Sequence, residues 1–339
     1  MRRLALLSIL LCRGLWASAE TVYTVDCNGG GDFRTIQACF DALPSKPAEW
    51  RTVRIMAGTY REKVTLDVYK DKVAIVPDHF TPNKDIKAAH EYFGSLTPTK
   101  QNAYTGMFKG KNLIFMTLEG FSYKTIDKER TPTLYKMATE GFVFNNYYNS
   151  LWGGSTATGE YTTMTGLFHN SAKCLEMSAK DNMYFTMGNQ LSRLGYKTYA
   201  FHNHYYTYYG RDKSHPNFGY EFIAINHGLE GLTDCWPRSD YEMAVATLPY
   251  YINLEQPWHA YYMTVSGHLL YTFMGNSMAH KNRALVEDLP YSEGPRAYLA
   301  CNIELNRALE LLLARLEEAG VLDNTVIVLS ADHYPYGLT

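Results

Sequence analysis

Asn112-Leu113-Ile114-Phe115-Met116-Thr117-Leu118 is a nearly continuous apolar run, and Thr325-Val326-Ile327-Val328-Leu329-Ser330 is a second. A strand with one wet face alternates apolar and polar residues, whereas runs like these belong to strands covered on both faces. Lys197 to Phe201 and Ala260 to Val265 read as two more strands of the same sheet. Helical patterns lie between them. Thr131 and Pro132 open one as N-cap and first helical residue, with Gly141 closing it. Asn182 to Leu194 is another. Tyr298 to Ala319 is the longest, with leucines at 305, 309, 312, 313 and 316 on one stripe and Gly320 as its cap. Strand–helix alternation of this kind predicts an α/β fold over 111–339, a mostly parallel sheet flanked by helices.

In such sheets the chemistry collects just past the carboxyl ends of the strands. That rule selects Glu119 after the first strand, Asp332 and His333 after the last, His202 and His204 after the strand at 197–201 with Arg211 a few residues on, and His268 after the strand at 260–265. A Gly-flanked loop, Gly153-Gly154-Ser155-Thr156-Ala157-Thr158-Gly159-Glu160-Tyr161, follows the first helix. Carboxylates and imidazoles form a hard-to-borderline ligand set suited to Mn²⁺, Mg²⁺ or Zn²⁺. A hydroxyl brought against such an ion becomes a nucleophile. Arg and His are the expected partners of a tetrahedral anion, because both donate charge-assisted hydrogen bonds. Each residue alone also has a purely structural reading: Asp332-His333 as a turn, Glu119 as a carboxylate at a helix start, Thr156 as an N-cap, and Tyr205 to Tyr209 as a packed aromatic cluster. Their coincidence at strand ends favours chemistry.

Outward from this core, composition sets broad limits. Of 339 residues, 46% are apolar and 19% charged, which permits a large core and argues against wholesale disorder. Lys and Arg total 32 against 34 Asp and Glu, a net charge of −2, so nothing draws the chain generally to nucleic acid or anionic lipid. Tyrosine is frequent at 28, as on surfaces that handle carbohydrate or polar headgroups. No Cys pair has zinc spacing.

The two ends carry their own signals. Arg2 and Arg3, the apolar run Leu4 to Cys12 and the small residues Ala17-Ser18-Ala19 read as a secretory signal peptide over 1–19, too short for the ~20 apolar residues of a membrane span. After cleavage Cys27, Cys39, Cys174, Cys235 and Cys301 leave an odd count, so at least one is unpaired. Residues 20–78 read as β-rich, with strands near 52–56 and 72–76 and a short helix at 35–43, and 79–110 as a linker. The end at Thr339, so soon after a buried strand, reads as a C-terminal truncation.

Residues 91–339 resemble the lipoteichoic-acid synthase-like branch of the sulfatase/alkaline phosphatase superfamily. The text that carries the resemblance is Tyr92-Phe93-Gly94-Ser95-Leu96-Thr97-Pro98, the run from Asn112 to Ser122, Ser155 to Tyr161, Phe201-His202-Asn203-His204, Tyr209-Gly210-Arg211-Asp212, Phe218-Gly219-Tyr220, Met263 to His268, and Ala331-Asp332-His333-Tyr334-Pro335. The resemblance implies one divalent metal, Mn²⁺ ahead of Mg²⁺, at Glu119, Thr156, Asp332 and His333, with Thr156 also the nucleophile. It implies that His202, His204, Tyr209, Arg211 and His268 contact phosphate and glycerol. His204 stands where the family is expected to carry an acidic residue, and Tyr209 where it is expected to carry Trp, so the resemblance does not fix the headgroup preference. The implied activity is phosphoglycerol transfer from a glycerophospholipid to a polyol or glycolipid acceptor, with contact to the membrane surface through the substrate and none to nucleic acid. The implied location is the extracellular face of the cell membrane or the envelope, where family members are membrane-anchored.

Three other readings compete. A sulfatase would need a formylglycine from a C-x-P-x-R context, and Cys235-Trp236-Pro237-Arg238 has its Arg one place early. Gly31 to Pro44 and Arg54 to Val64 are similar to the start of pectinesterases, which implies the opening of a parallel β-helix, but one or two coils bury no solenoid core. A non-catalytic wall-binding module would use the tyrosines at 205–209.

Overall fold

The computed structural model describes residues 21–338 apart from 48–50, 57–59, 63, 67–69, 71–72, 78–91, 93–94, 98–99, 150–154, 170 and 182. The expected signal peptide at 1–19, most of the expected linker and Gly153-Gly154 therefore lie outside the described residues. Two compact units divide the chain, one ending at Ala103 and the other starting at Tyr104.

In the first unit β1 (Thr21–Val25), β2 (Arg51–Ile55) and β3 (Val73–Pro77) pair in parallel in sequence order. Helix α1 (Ile36–Ala42) is capped by Thr35, whose hydroxyl accepts from the Ala38 N–H. Val25, Cys39, Phe40, Leu43 and Val53 form a small core.

The second unit is built on a five-stranded sheet in the order β6-β5-β7-β4-β8, every pairing parallel. Its strands are β4 (Asn112–Leu118), β5 (Lys197–Tyr205), β6 (Glu221–Ile225), β7 (Trp258–Met263) and β8 (Thr325–Ala331). Alternate side chains feed two cores, as the period of two requires. Ile114, Met116, Leu118, Tyr199, Phe201, Ala260 and Tyr262 meet Leu305, Ala308, Leu309, Leu312 and Leu316 of a long helix on one side. Ala200, Tyr261 and Met263 meet Ala157, Met164, Leu175 and Phe218 on the other. The helices are α2 (Pro132–Glu140), α3 (Thr156–Thr165), α4 (Cys174–Ser178), α5 (Met187–Arg193), α6 (Arg211–Asn217), α7 (Asp240–Thr247), α8 (Ser277–Lys281) and α9 (Glu293–Glu318). This is the expected α/β sandwich.

Several elements depart from expectation. The stretch at 155–165 is not a loop: Thr156 begins a helix. Strand β5 runs four residues further than its apolar run, so His202 and His204 sit on the strand rather than past it. Helix α5 begins at Met187, not Asn182, and α9 begins at Glu293, a turn and more before Tyr298. Thr131 does not cap α2 by its side chain; its hydroxyl donates to the Thr125 carbonyl at 2.7 Å. Strand β8 is half-buried along its whole length, at the sheet edge, where a strand covered on both faces was expected. All five described cysteines are free. No helix among the described residues is long and apolar enough to cross a membrane.

Candidate active site

Strands β4 and β8 pair with Leu118 opposite Ala331, so the residues that leave them emerge side by side. Glu119 leaves β4; Asp332 and His333 leave β8. Backbone bonds hold the exits together: the Asp332 N–H donates to the Leu118 carbonyl at 3.1 Å, and the Gly120 N–H to Asp332 Oδ1 at 2.8 Å. The Glu119 N–H donates to Thr264 Oγ1 at 3.0 Å, which ties this corner to β7.

Thr156 reaches the same corner from α3. Its Oγ1 lies 3.2 Å from Glu119 Oε2 and 3.5 Å from His333 Nε2. The helix approaches this closely because residue 159 is glycine: a Cβ there would stand 2.2 Å from the Asp332 carbonyl oxygen. Gly267 performs the same service for the turn after β7, since its Cβ would stand 2.3 Å from the Glu119 carbonyl oxygen.

Glu119, Asp332 and His333 are all buried, with one ligand atom of each within 4.8 Å of the others. His333 Nε2 stands 3.2 Å from Glu119 Oε1 and 3.4 Å from Asp332 Oδ2. Its Nδ1 lies 2.7 Å from the Tyr334 carbonyl, and an N–H donated there fixes the ring with Nε2 facing the carboxylates, to which Nε2 donates while the imidazole is protonated. Asp332 Oδ2 is buried without a hydrogen-bond partner. Burial and the neighbouring Glu119 charge push the Asp332 carboxyl far above the usual carboxylate range. Burial pulls His333 down, but the hydrogen bond to Glu119 and the charges of Asp332 and Glu119 outweigh it and raise it to about 9. Two buried carboxylates side by side are costly without positive charge, and within the protein only the His333 imidazole, 3.2–3.4 Å away, faces them both among the described residues. The donor set of two carboxylates, one imidazole and one hydroxyl fits a hard divalent cation.

A second group of side chains centres on Arg211, at the start of α6. Its guanidinium is fully buried; Nε donates to Glu160 Oε2 at 2.9 Å, while Nη2 has no partner. Glu160 lies four residues after Thr156 on α3, and its other oxygen meets His215 Nε2 at 3.1 Å. Burial opposes ionisation of Glu160, yet the charges of Arg211 and His215 overcome it and hold the carboxyl at about 2. The buried guanidinium is thus fixed on one edge by Glu160 and unpaired at Nη2 among the described residues. His202 is buried, its Nδ1 2.9 Å from the Met263 carbonyl, and burial with the nearby Arg211 charge keeps it neutral. The same two causes lower His204 to about 4. Tyr209 adopts a left-handed backbone, φ 58°, unusual for a bulky residue, and places its ring 5.1 Å from the Arg211 guanidinium. Trp236 joins the remaining members: its ring stands 5.3 Å from His204 and 4.9 Å from His268.

Every residue selected from the sequence therefore sits in one of two clusters, Glu119, Thr156, Asp332 and His333 in the first and His202, His204, Tyr209, Arg211 and His268 around Arg211 and Trp236. Sequence reading gave no role to Glu160, His215 and Trp236. The first two show themselves only once α3 is known to be a helix, because i and i+4 then share a face. Cys235 stands in neither cluster; its thiol lies 3.5 Å from the Pro237 carbonyl.

A family model described as Sulfatase matches residues 108–337. A lipoteichoic acid synthase-like protein of Bacillus subtilis is 23% identical over 79% of this chain and 44% of its own length. Lipoteichoic acid synthase 1 of the same organism is 26% identical over 75% and 41%. The chain thus spans about two fifths of these relatives. Among solved structures, the lipoteichoic acid synthase LtaP of Listeria monocytogenes superposes with a TM-score of 0.63 at 22% identity, over 74% of this chain and 62% of that one. An alkaline phosphatase superfamily protein of Vibrio parahaemolyticus gives 0.52 at 18%, over 68% and 57%. Both likenesses establish the fold.

Proposed function

The chain belongs to the sulfatase family, and from that membership we propose that its second unit is a metal-dependent phosphoglycerol transferase with Thr156 as nucleophile. The observation that carries the reading is the position of Thr156 Oγ1, at a helix start and within 3.2–3.5 Å of Glu119 and His333. The names of the matched relatives support the same class of activity.

Glu119, Asp332, His333 and Thr156 would hold one divalent cation, Mn²⁺ ahead of Mg²⁺, which when bound lowers the pKa of a neighbouring hydroxyl and offsets phosphoryl charge. Thr156 Oγ1 attacks the phosphorus of a phosphatidylglycerol-like donor. A P–O bond forms to Thr156 as the P–O bond to diacylglycerol breaks; the Thr156 hydroxyl gives up its proton and the diacylglycerol oxygen takes one up, so the step is proton-neutral overall. An acceptor hydroxyl of a polyol or glycolipid, or water, then attacks the same phosphorus and restores the threonine. Arg211, rigid on Glu160 and with Nη2 unpaired, donates to a non-bridging phosphoryl oxygen, an electrostatic role that strengthens as charge builds. His202 and His268 hold the remaining oxygens and the glycerol hydroxyls, with His204 and Tyr209 at the rim. The donor implies work at a membrane surface, on the extracellular face.

The test is Thr156→Ala together with EDTA. Each is expected to abolish cleavage of the phosphodiester while circular dichroism stays native. Equal turnover by Thr156→Ala would dispose of the nucleophile. The metal-free alternative, a wall-binding module, predicts polymer binding that chelators leave untouched.

A further inference from the structure

We infer that Asp240 is a positioning residue: its buried carboxylate clamps the ends of β5 and β7 where the sheet stops pairing them, and so sets the spacing of His202, His204 and His268. The inference rests on the transferase reading above and concerns how that site holds its phosphoglycerol group.

The sheet leaves this corner loose. Pairing of β5 with β7 ends at His202 opposite Met263, and pairing of β5 with β6 slips between His202 and Tyr205. Asn203 and His204 therefore lie where regular ladder bonds no longer fix the backbone. On the other strand the chain leaves β7 and turns, the His268 N–H donating to the Val265 carbonyl at 3.0 Å. The three histidines thus hang at or beyond the last paired residues.

Asp240, the first residue of α7, takes over where the ladder ends. Its Oδ1 accepts from Asn203 Nδ2 at 3.0 Å and from the Val265 N–H at 2.8 Å, so one atom joins both strand ends. Oδ2 accepts from the Ser266 N–H at 3.2 Å. The Asp240 N–H donates to Ser266 Oγ at 2.9 Å, and that hydroxyl donates to the Arg238 carbonyl at 3.2 Å. Asn203 separates His202 from His204, and Ser266 lies two residues before His268. Trp236, whose ring stands near both His204 and His268, belongs to the segment that leads into Asp240. Asp240, Asn203 and Ser266 are all buried. Burial pushes the Asp240 carboxyl up to about 6 against the pull of its hydrogen bonds. An apolar side chain would fill the same space without that penalty, so what the carboxylate adds is fixed geometry.

Asp240→Ala removes the clamp, Asn203→Ala frees β5 while leaving the carboxylate on the turn, and the double variant does both. Calorimetry would measure glycerol phosphate binding to the Mn²⁺-loaded chain, and hydrolysis assays would use phosphatidylglycerol in micelles. NMR on isotope-labelled histidines would follow the imidazoles without turnover.

Each single variant is expected to weaken glycerol phosphate binding and raise KM by about tenfold, as for a hydrogen bond to a charged group, with Mn²⁺ affinity within about twofold of wild type. Because both remove one bridge, the double variant should lose no more than either alone. Asp240→Asn keeps an acceptor at the Oδ1 position and should recover part of the loss. The His202, His204 and His268 signals should shift in both alanine variants. Additive losses, equal weakening of Mn²⁺ and glycerol phosphate binding, or an unmoved His268 signal would overturn the inference. If Asp240→Ala does not fold, the His268 signal in Asn203→Ala decides, because that substitution lies on the opposite strand. Undiminished hydrolysis by Thr156→Ala removes the transferase reading instead, and the imidazole signals then decide the clamp alone.

Discussion

Asp332 Oδ2 and Arg211 Nη2 share one property: each is a buried polar atom that makes no hydrogen bond among the described residues. A buried donor or acceptor left unpaired costs roughly 1–3 kcal/mol, more when charged, so both positions are expected to be satisfied by something bound. Asp332→Asn keeps the shape and removes the charge; Mn²⁺ affinity measured by calorimetry is expected to fall at least tenfold, the lower end of what even second-layer changes cost at metal sites. Unchanged affinity would place the ion elsewhere. Glu160 is the counterpart on the Arg211 side. Breaking a buried ion pair costs about 3–5 kcal/mol, because the surviving charge stays uncompensated, and Glu160→Gln is expected to lower unfolding stability by that order in urea melts at pH 7. The sign of its pH dependence follows from a folded pKa of about 2 against 4.5. Its contribution is complete above pH 4.5 and drains away as the pH falls toward 2, so Glu160→Gln should flatten the acid limb in that window. An acid limb identical to wild type would contradict the pairing.

Elements differ in how far the sequence announces them. The apolar runs at 112–118 and 325–330 announce their strands, because nothing but a sheet with both faces covered suits them, although the half-exposed edge position of β8 depends on its neighbours and not on its own residues. Helix α3 was hidden. Its sequence, TATGEYTTMT, holds five threonines and a glycine, poor helix formers without an apolar stripe. Tertiary packing makes it a helix, since Ala157, Thr158, Gly159 and Glu160 are all buried in one turn. The nucleophile candidate was therefore legible as a residue, while its link to Arg211 through Glu160 was not. Strand β5 reads short for a related reason: His202 and Asn203 end the apolar run, yet His202 Nδ1 is met by the Met263 carbonyl and the Asn203 amide nitrogen donates to the Asp240 carboxylate, so the strand continues. Gly159 is the test at this scale. Gly159→Ala drives a methyl into the Asp332 backbone, so α3 and β8 must separate. Loss of Mn²⁺ binding with a lowered melting temperature is expected, and a native site in a crystal structure of that variant would contradict it.

For the whole molecule, sulfatase-family membership, the parallel sheet and the convergence of strand ends agree on one catalytic edge. A cation at that edge should stabilise the folded chain. At 100 times its dissociation constant it adds about 2.7 kcal/mol, or roughly 5–10 °C in a unit of this size. EDTA is expected to lower the melting temperature by that amount and Mn²⁺ to restore it; a melting curve indifferent to both would argue against the site. The net charge of −2 predicts in turn that salt alone changes little, because no general field draws the chain to its substrate.

In the proposed reaction Thr156 carries the phosphoglycerol between donor and acceptor. The most direct measurement is mass spectrometry of the chain after brief incubation with Mn²⁺ and phosphatidylglycerol, acid-quenched and digested. One glycerophosphoryl adduct on Thr156, absent when Mn²⁺ is omitted, is the result expected. An adduct on Cys235 or another residue, or steady turnover with none on Thr156, would contradict the account.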